Sequence, residues 1–176
     1  MIQQDPAQYS KIGQSGLKSC LKTGQLNLKI SNTMTTKEQL SQVFCDNFVA
    51  YYRSHVAHVN IVGRTFRSDH KLLQGVYERR QAQIDVIAEL LRTVDAFMPV
   101  SIGETIASSH IDDADVEGSA DDLLATVRDD LEHLKECYQE LMTVADEEGH
   151  QEIANYAQDQ ILDIAKSIWM LNSTLE

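Results

Sequence analysis

Proline and glycine are scarce in this chain, with two prolines and eight glycines among 176 residues. So few turn-forming residues exclude collagen-like and low-complexity classes and argue against a many-stranded β protein. Cysteine is scarce too. Cys20, Cys45 and Cys137 stand at unrelated spacings that make neither a disulfide framework nor a zinc site, and they read as buried, reduced thiols of a cytosolic protein. No apolar run approaches the ~18 residues that a membrane span needs. The opening MIQQDPAQYS lacks a charged start followed by an apolar block, so neither a membrane span nor a secretory signal is expected. No internal repeat is visible, and no strand–glycine loop–helix unit occurs, which removes the nucleotide-binding folds. Positive charge is also in deficit: 15 Lys and Arg against 27 Asp and Glu leave a net charge of −12. A body so acidic disfavours nonspecific binding of nucleic acid.

What charge of the other sign exists is gathered at one end. Residues 1–35 hold Lys11, Lys18, Lys22 and Lys29 against Asp5 alone, a local +3 that leaves −15 for the rest. This Gly/Ser/Gln-rich stretch reads as a flexible N-terminal tail, either simply solvated or touching an anionic polymer such as DNA.

From residue 36 to 176 the sequence is periodic at helical spacing and forms one domain. Thr36-Lys37-Glu38-Gln39 reads as a capping box opening a first helix, with Leu40, Phe44, Phe48, Tyr52, Val56 and Val59 as its apolar side and an end near Gly63. A second helix runs from about Arg67 to Val94, carrying Leu73, Val76, Tyr77, Ile84, Ile87, Ala88 and Leu91. Pro99, Gly103 and Gly118 break the pattern over Asp95–Gly118, a long crossover with room for one short helix. Ser119-Ala120-Asp121-Asp122 opens a third helix with a heptad of Leu124, Val127, Leu131, Leu134, Tyr138, Leu141 and Ala145, stopped by Gly149. The last, about Gln151 to Asn172, shows Ile153, Ala157, Ile161, Ile164, Ile168 and Leu171 on one side. The fold class is all-α, a four-helix bundle.

Polar residues on these helices carry the chemistry. His70 and Gln74, and later Asp85 and Glu89, stand at i, i+4 on the second helix, a spacing that lets two side chains reach one ion. His58 precedes the turn into that helix, and His55 lies one turn earlier. A pair of this kind, taken alone, is usually a solvated helix face. Positions 70 and 85 are 15 residues apart, which is ~22 Å along one rod at ~1.5 Å per residue. Ligands lie only ~2.0–2.3 Å from a metal. If the two pairs form one site, a second copy of the chain must cross the first in antiparallel fashion, giving a two-fold dimer with metals in its interface.

The run His58-Val59-Asn60-Ile61-Val62-Gly63-Arg64-Thr65-Phe66, followed by His70, Leu73, Tyr77, Asp85, Ala88 and Glu89, resembles the signature of Dps, the DNA-protection-during-starvation branch of the ferritin-like superfamily. The family pattern, His-Trp-Asn-Val-x-Gly-x-x-Phe with a second His and then an Asp and a Glu, matches without a gap at His58, His70, Asp85 and Glu89. The stretch from Gly149 to Leu171, with Trp169-Met170-Leu171, is similar to the family's last helix.

The resemblance implies a hollow dodecamer of ferritin-like subunits, cytoplasmic and in some settings nucleoid-associated. It implies dinuclear iron sites at two-fold interfaces, built from His58 and His70 of one chain and Asp85 and Glu89 of its neighbour. The implied activity is a ferroxidase that oxidises Fe(II), preferably with hydrogen peroxide, and stores the Fe(III) mineral; the alternative is a DNA-binding or metal-sequestering cage with weak or absent ferroxidase activity.

Two positions depart from the pattern. Val59 stands in place of Trp, and Gln74 in place of an Asp or Glu, so the second metal loses an anionic ligand and zinc becomes a competitor. Gln160 falls on the apolar side of the last helix, either as a core-edge amide or as a further lining of the altered metal site. Glu147-Glu148-Gly149-His150 contains Glu-x-x-His, but its glycine marks a helix end and no second copy exists. The acidic run Asp112, Asp113, Asp115, Glu117, Asp121 and Asp122 reads as a solvated loop complementing a helix dipole or, by the resemblance, as the lining of an iron-entry pore.

Overall fold

The computed structural model describes residues 34–176, so Lys11, Lys18, Lys22, Lys29, Cys20 and the tail they belong to lie outside the described residues. Five helices follow in order: α1 (Thr36–Asn60), α2 (Phe66–Thr93), α3 (Ile102–Ser108), α4 (Ala120–Glu148) and α5 (Gln151–Leu175). The four long ones form the expected bundle, and α3 is the short helix of the crossover. α1 packs with α2, α4 packs with α5, and contact of α1 with α4 joins the two pairs.

Helix ends follow local chemistry. At α4, Ser119 Oγ accepts from the Asp122 amide at 3.2 Å while the Asp122 carboxylate accepts from the Ser119 amide at 2.8 Å. Gly149 ends α4 at φ 83°, in the left-handed region that costs a side-chain-bearing residue and not glycine. The capping box of α1 lies one residue earlier than the reading from Thr36 and Gln39. Thr35 is the cap, and Glu38 returns to its amide at 2.8 Å. Charge sets this register, because a carboxylate accepts from a helix N-terminus more strongly than an amide oxygen does. Gln39 is instead buried, donating to the Cys137 carbonyl at 3.2 Å. α1 also stops at Asn60 rather than near Gly63, because Ile61 turns to extended backbone, and Gly63 spends its φ of 138° inside the turn to α2.

The core gathers Leu40 and Phe44 of α1, Leu73 and Leu91 of α2, Leu131 and Leu141 of α4, and Ile153 and Ile164 of α5. Each such side chain contributes about 1.5–3 kcal/mol on burial. The apolar stripe read along α1 needs correction in its second half, where Tyr52 and Val59 are each 62% exposed. The buried side there consists of Ala50, Arg53, Ser54, Ala57 and His58. Arg53 binds Asp130 of α4 at 2.7 Å and the Ala114 carbonyl of the crossover at 2.5 Å. Cys45 and Cys137 are buried and free, and burial pushes the Cys45 thiol up to about 11, as expected of inert thiols. Among the described residues no helix is long and apolar enough to cross a membrane.

Candidate metal centre

The last turn of α1 and the second turn of α2 lie side by side because only five residues, 61–65, separate the helices. That brings His58 and His70 together, with ring centroids 3.7 Å apart and planes 25° from parallel. His58 Nδ1 lies 2.8 Å from the His70 carbonyl, and His70 Nδ1 lies 2.8 Å from the His58 carbonyl. A carbonyl only accepts, so each Nδ1 carries the hydrogen and donates it. In the neutral ring this leaves Nε2 with its lone pair, the form in which imidazole binds a metal.

The surroundings keep that form. His58 is 7% exposed, and burial holds its pKa below the ordinary 6.5; the hydrogen bond with the His70 backbone pulls the other way. Tyr77 sits 4.9 Å from the His58 ring and stacks on His55 at 4.2 Å, while Phe66 lies 5.0 Å from His70. Val59, in the position where the resembled pattern has Trp, points to solvent.

The other expected ligands lie elsewhere on the chain. Asp85 and Glu89 are exposed, one turn apart on the unbroken α2, on the far half from His70. Gln74 faces along the helix: its Nε2 donates to Glu78 at 2.6 Å and its Oε1 accepts from Lys71 at 3.2 Å. Gln160 is beside Arg80 instead, its Oε1 3.5 Å from a guanidinium nitrogen that is itself 2.6 Å from Asp163. Glu148 of the Glu-x-x-His stretch accepts from the Thr36 amide at 3.0 Å, a structural tie between helices. The acidic residues from Asp112 to Asp122 are exposed, and Asp122 serves the α4 cap.

Glu78 was not singled out from the sequence, yet its charge acts on His58 and opposes the lowering of that histidine's pKa. The signal was there, since position 78 extends the 70, 74 series by one more turn. Nor were Asp46, His110 and His133, which come from three separate elements and converge only on folding.

A ferritin-like domain family model matches residues 37–176. The chain is 33% identical over 140 residues to antigen TpF1 of Treponema pallidum, covering 79% of each. It is 29% identical over 143 residues to a DNA protection during starvation protein of Helicobacter pylori, covering 81% of this chain and 99% of that one. The crystal structure of TpF1 matches with a TM-score of 0.76 at 32% identity, over 80% of this chain and 91% of that one. Dps from Listeria innocua shares the fold, with a TM-score of 0.78 at 23% identity over 82% of this chain and 96% of that one. The bundle with its long crossover is thus that of a ferritin-like protein. The chain belongs to the DNA-protection-during-starvation (Dps) branch of that family, a mini-ferritin.

Proposed function

We propose that this protein is a ferroxidase and iron store, taking Fe(II) as its substrate at sites shared between two copies of the chain. The carrying observation is the division of ligands on one rigid helix. The histidine pair stands at one end of α2, and the exposed Asp85 and Glu89 stand ~22 Å along it. Exposed apolar side chains flank both halves. Val59, Val62 and Phe66 lie beside the histidines, and Val86, Phe97 and Met98 lie near the acids. Surface of that kind, next to two incomplete ligand sets, suits a two-fold contact in which each copy completes the other's site. Repeated around a closed shell, this contact gives a hollow oligomer, in this reading a dodecamer.

At such a site His58 and His70 bind through Nε2, and Asp85 and Glu89 of the partner subunit supply anionic oxygens that favour the ferric product. Two Fe(II) ions each give up one electron. Hydrogen peroxide accepts both and, with two protons, leaves as two waters. Gln74 brings no charge and its oxygen is already held by Lys71, so one metal position is tight and the other weak. Glu78, beside Gln74, is better placed than Gln160 to compensate, because the Gln160 oxygen faces Arg80. Zinc, content with few ligands and fond of imidazole, competes at the tight position.

The test is peroxide-driven Fe(II) oxidation by the assembled protein and its Glu89→Ala variant. The reading expects the variant to lose the activity; wild-type kinetics in the variant would remove Glu89 from the site. A second reading, attachment to DNA through the four tail lysines, rests on the +3 charge of residues 1–35. It is tested separately by gel shift with and without those residues.

A further inference from the structure

We infer that Asp46, His110 and His133 form a second, mononuclear site for a divalent first-row transition cation such as Zn(II) or Fe(II), fastening the crossover to α1 and α4. Asp46 belongs to α1, His110 to the crossover just after α3, and His133 to α4. One ligand atom from each lies within 4.8 Å of the others.

The two oxygens of Asp46 are used very differently. The side chain is fully buried, and Oδ1 accepts three hydrogen bonds: from the His110 amide at 2.7 Å, from Ser109 Oγ at 2.9 Å and from Gln42 Nε2 at 3.1 Å. Oδ2 has no partner within hydrogen-bond distance, and the Cys137 thiol, a weak donor, lies beside the carboxylate. Facing it at 3.7 Å is His133 Nε2, which is also buried and also without a partner. Buried polar atoms are rarely left unsatisfied, and here two orphans face each other at a distance too long for a hydrogen bond. That distance suits two ligands on one ion. Donors ~2.0–2.2 Å from a tetrahedral metal stand roughly 3.4 Å apart. His110 completes the set: its ring is perpendicular to that of His133 at 5.9 Å, and one of its nitrogens lies within 4.8 Å of the other two donors.

The donor types select the cation. Two imidazoles and one carboxylate suit zinc or ferrous iron, whereas calcium and magnesium take oxygen ligands almost exclusively. A cation here also offsets the charge of a carboxylate that no Arg or Lys approaches within ion-pair distance among the described residues. Three protein ligands leave one coordination position open to water. The site is independent of the proposed ferroxidase centre, since Asp46 precedes His58 by 12 residues on α1, ~18 Å along the helix.

The experiment uses the full chain carrying His58→Ala and Glu89→Ala, which removes the shared centre from both halves. Calorimetric titration of the metal-stripped protein with Zn(II), and anaerobically with Fe(II), should still find one tight ion per chain, while Mg(II) gives none. Zinc should also raise the melting temperature, as any ligand selective for the folded state does. Adding His133→Ala should abolish both the tight ion and the thermal shift. His110→Ala should weaken the ion as well. His133 is 38% exposed and His110 more so, so both variants should keep the helical circular dichroism and assembled size of the parent. In the otherwise native chain, His133→Ala should leave peroxide-driven iron oxidation unchanged. An absence of tight zinc in the parent, or a stoichiometry and affinity indifferent to His133→Ala, overturns the proposal and leaves a water between Asp46 and His133.

Discussion

His58 and His70 each donate an Nδ1 hydrogen to the other's backbone carbonyl, both at 2.8 Å. Each backbone carbonyl thereby orients the other residue's imidazole and turns Nε2, not Nδ1, toward a metal. In metal-free protein, nitrogen-detected NMR should therefore show the buried His58 ring, whose pKa burial lowers, as the neutral, Nδ1-protonated tautomer. His70→Ala removes a ligand together with the donor that holds the His58 carbonyl. Zinc affinity at the shared centre should fall by more than the roughly 10–100-fold typical of losing an orienting partner alone.

Gln74 sets the asymmetry of the proposed centre. Gln74→Asp places a carboxylate one turn after His70, breaks the bond to Glu78 and sets two like charges four residues apart. A second cation relieves that repulsion. Iron titration should then find the weak position tightened and peroxide-driven oxidation faster. Two equally tight irons in the native protein, with no change in the variant, would mean that Glu78 already serves as the missing carboxylate.

The buried pair Arg53–Asp130 governs stability more by its loss than by its presence. Burial raises the Asp130 pKa in spite of the Arg53 hydrogen bond, so desolvation outweighs pairing. Asp130→Ala strands the guanidinium with the Ala114 carbonyl and should cost about 3–5 kcal/mol in urea unfolding. Replacing both partners by apolar residues of similar volume should cost much less.

Acid should weaken the cap of α4. Hydrogen bonds from the Ser119 hydroxyl and then its amide hold the Asp122 pKa below 3.8. A depressed carboxyl contributes stability that is present above its unfolded value and lost as pH falls through its folded one. The difference in urea midpoint between the native protein and Asp122→Ala should therefore be constant near neutrality and shrink below pH ~4. A gap that stays constant down to pH ~2 would show that the cap does not depend on the charge.

The parts of the fold that were legible have one-sided apolar patterns. Every residue of the α4 heptad, from Leu124 to Ala145, is buried as its spacing indicates. The second half of α1 was misleading because small and polar residues, Ala50, Ser54, Ala57 and Arg53, face inward while Tyr52 and Val59 face out. At the metal centre, the family resemblance implied that His58 and His70 belong together. Their mutual bonds go to main-chain carbonyls, which no side-chain pattern records. Asp46, His110 and His133 were illegible for another reason: they lie far apart in the chain and meet only when α1, the crossover and α4 pack.

The central claim, a metal site divided between copies, is tested most directly by complementation. A chain with His58→Ala and His70→Ala and a chain with Asp85→Ala and Glu89→Ala should each be inactive alone. Coexpressed, they pair at random, and an intact site needs the histidines of one chain type and the acids of the other. Mixed assemblies should then recover about one quarter of the native sites and of the peroxide-driven iron oxidation, as two-fold pairing dictates. Mixed assemblies of normal size that show no activity would contradict the shared site, and so would either parent variant that keeps full activity on its own.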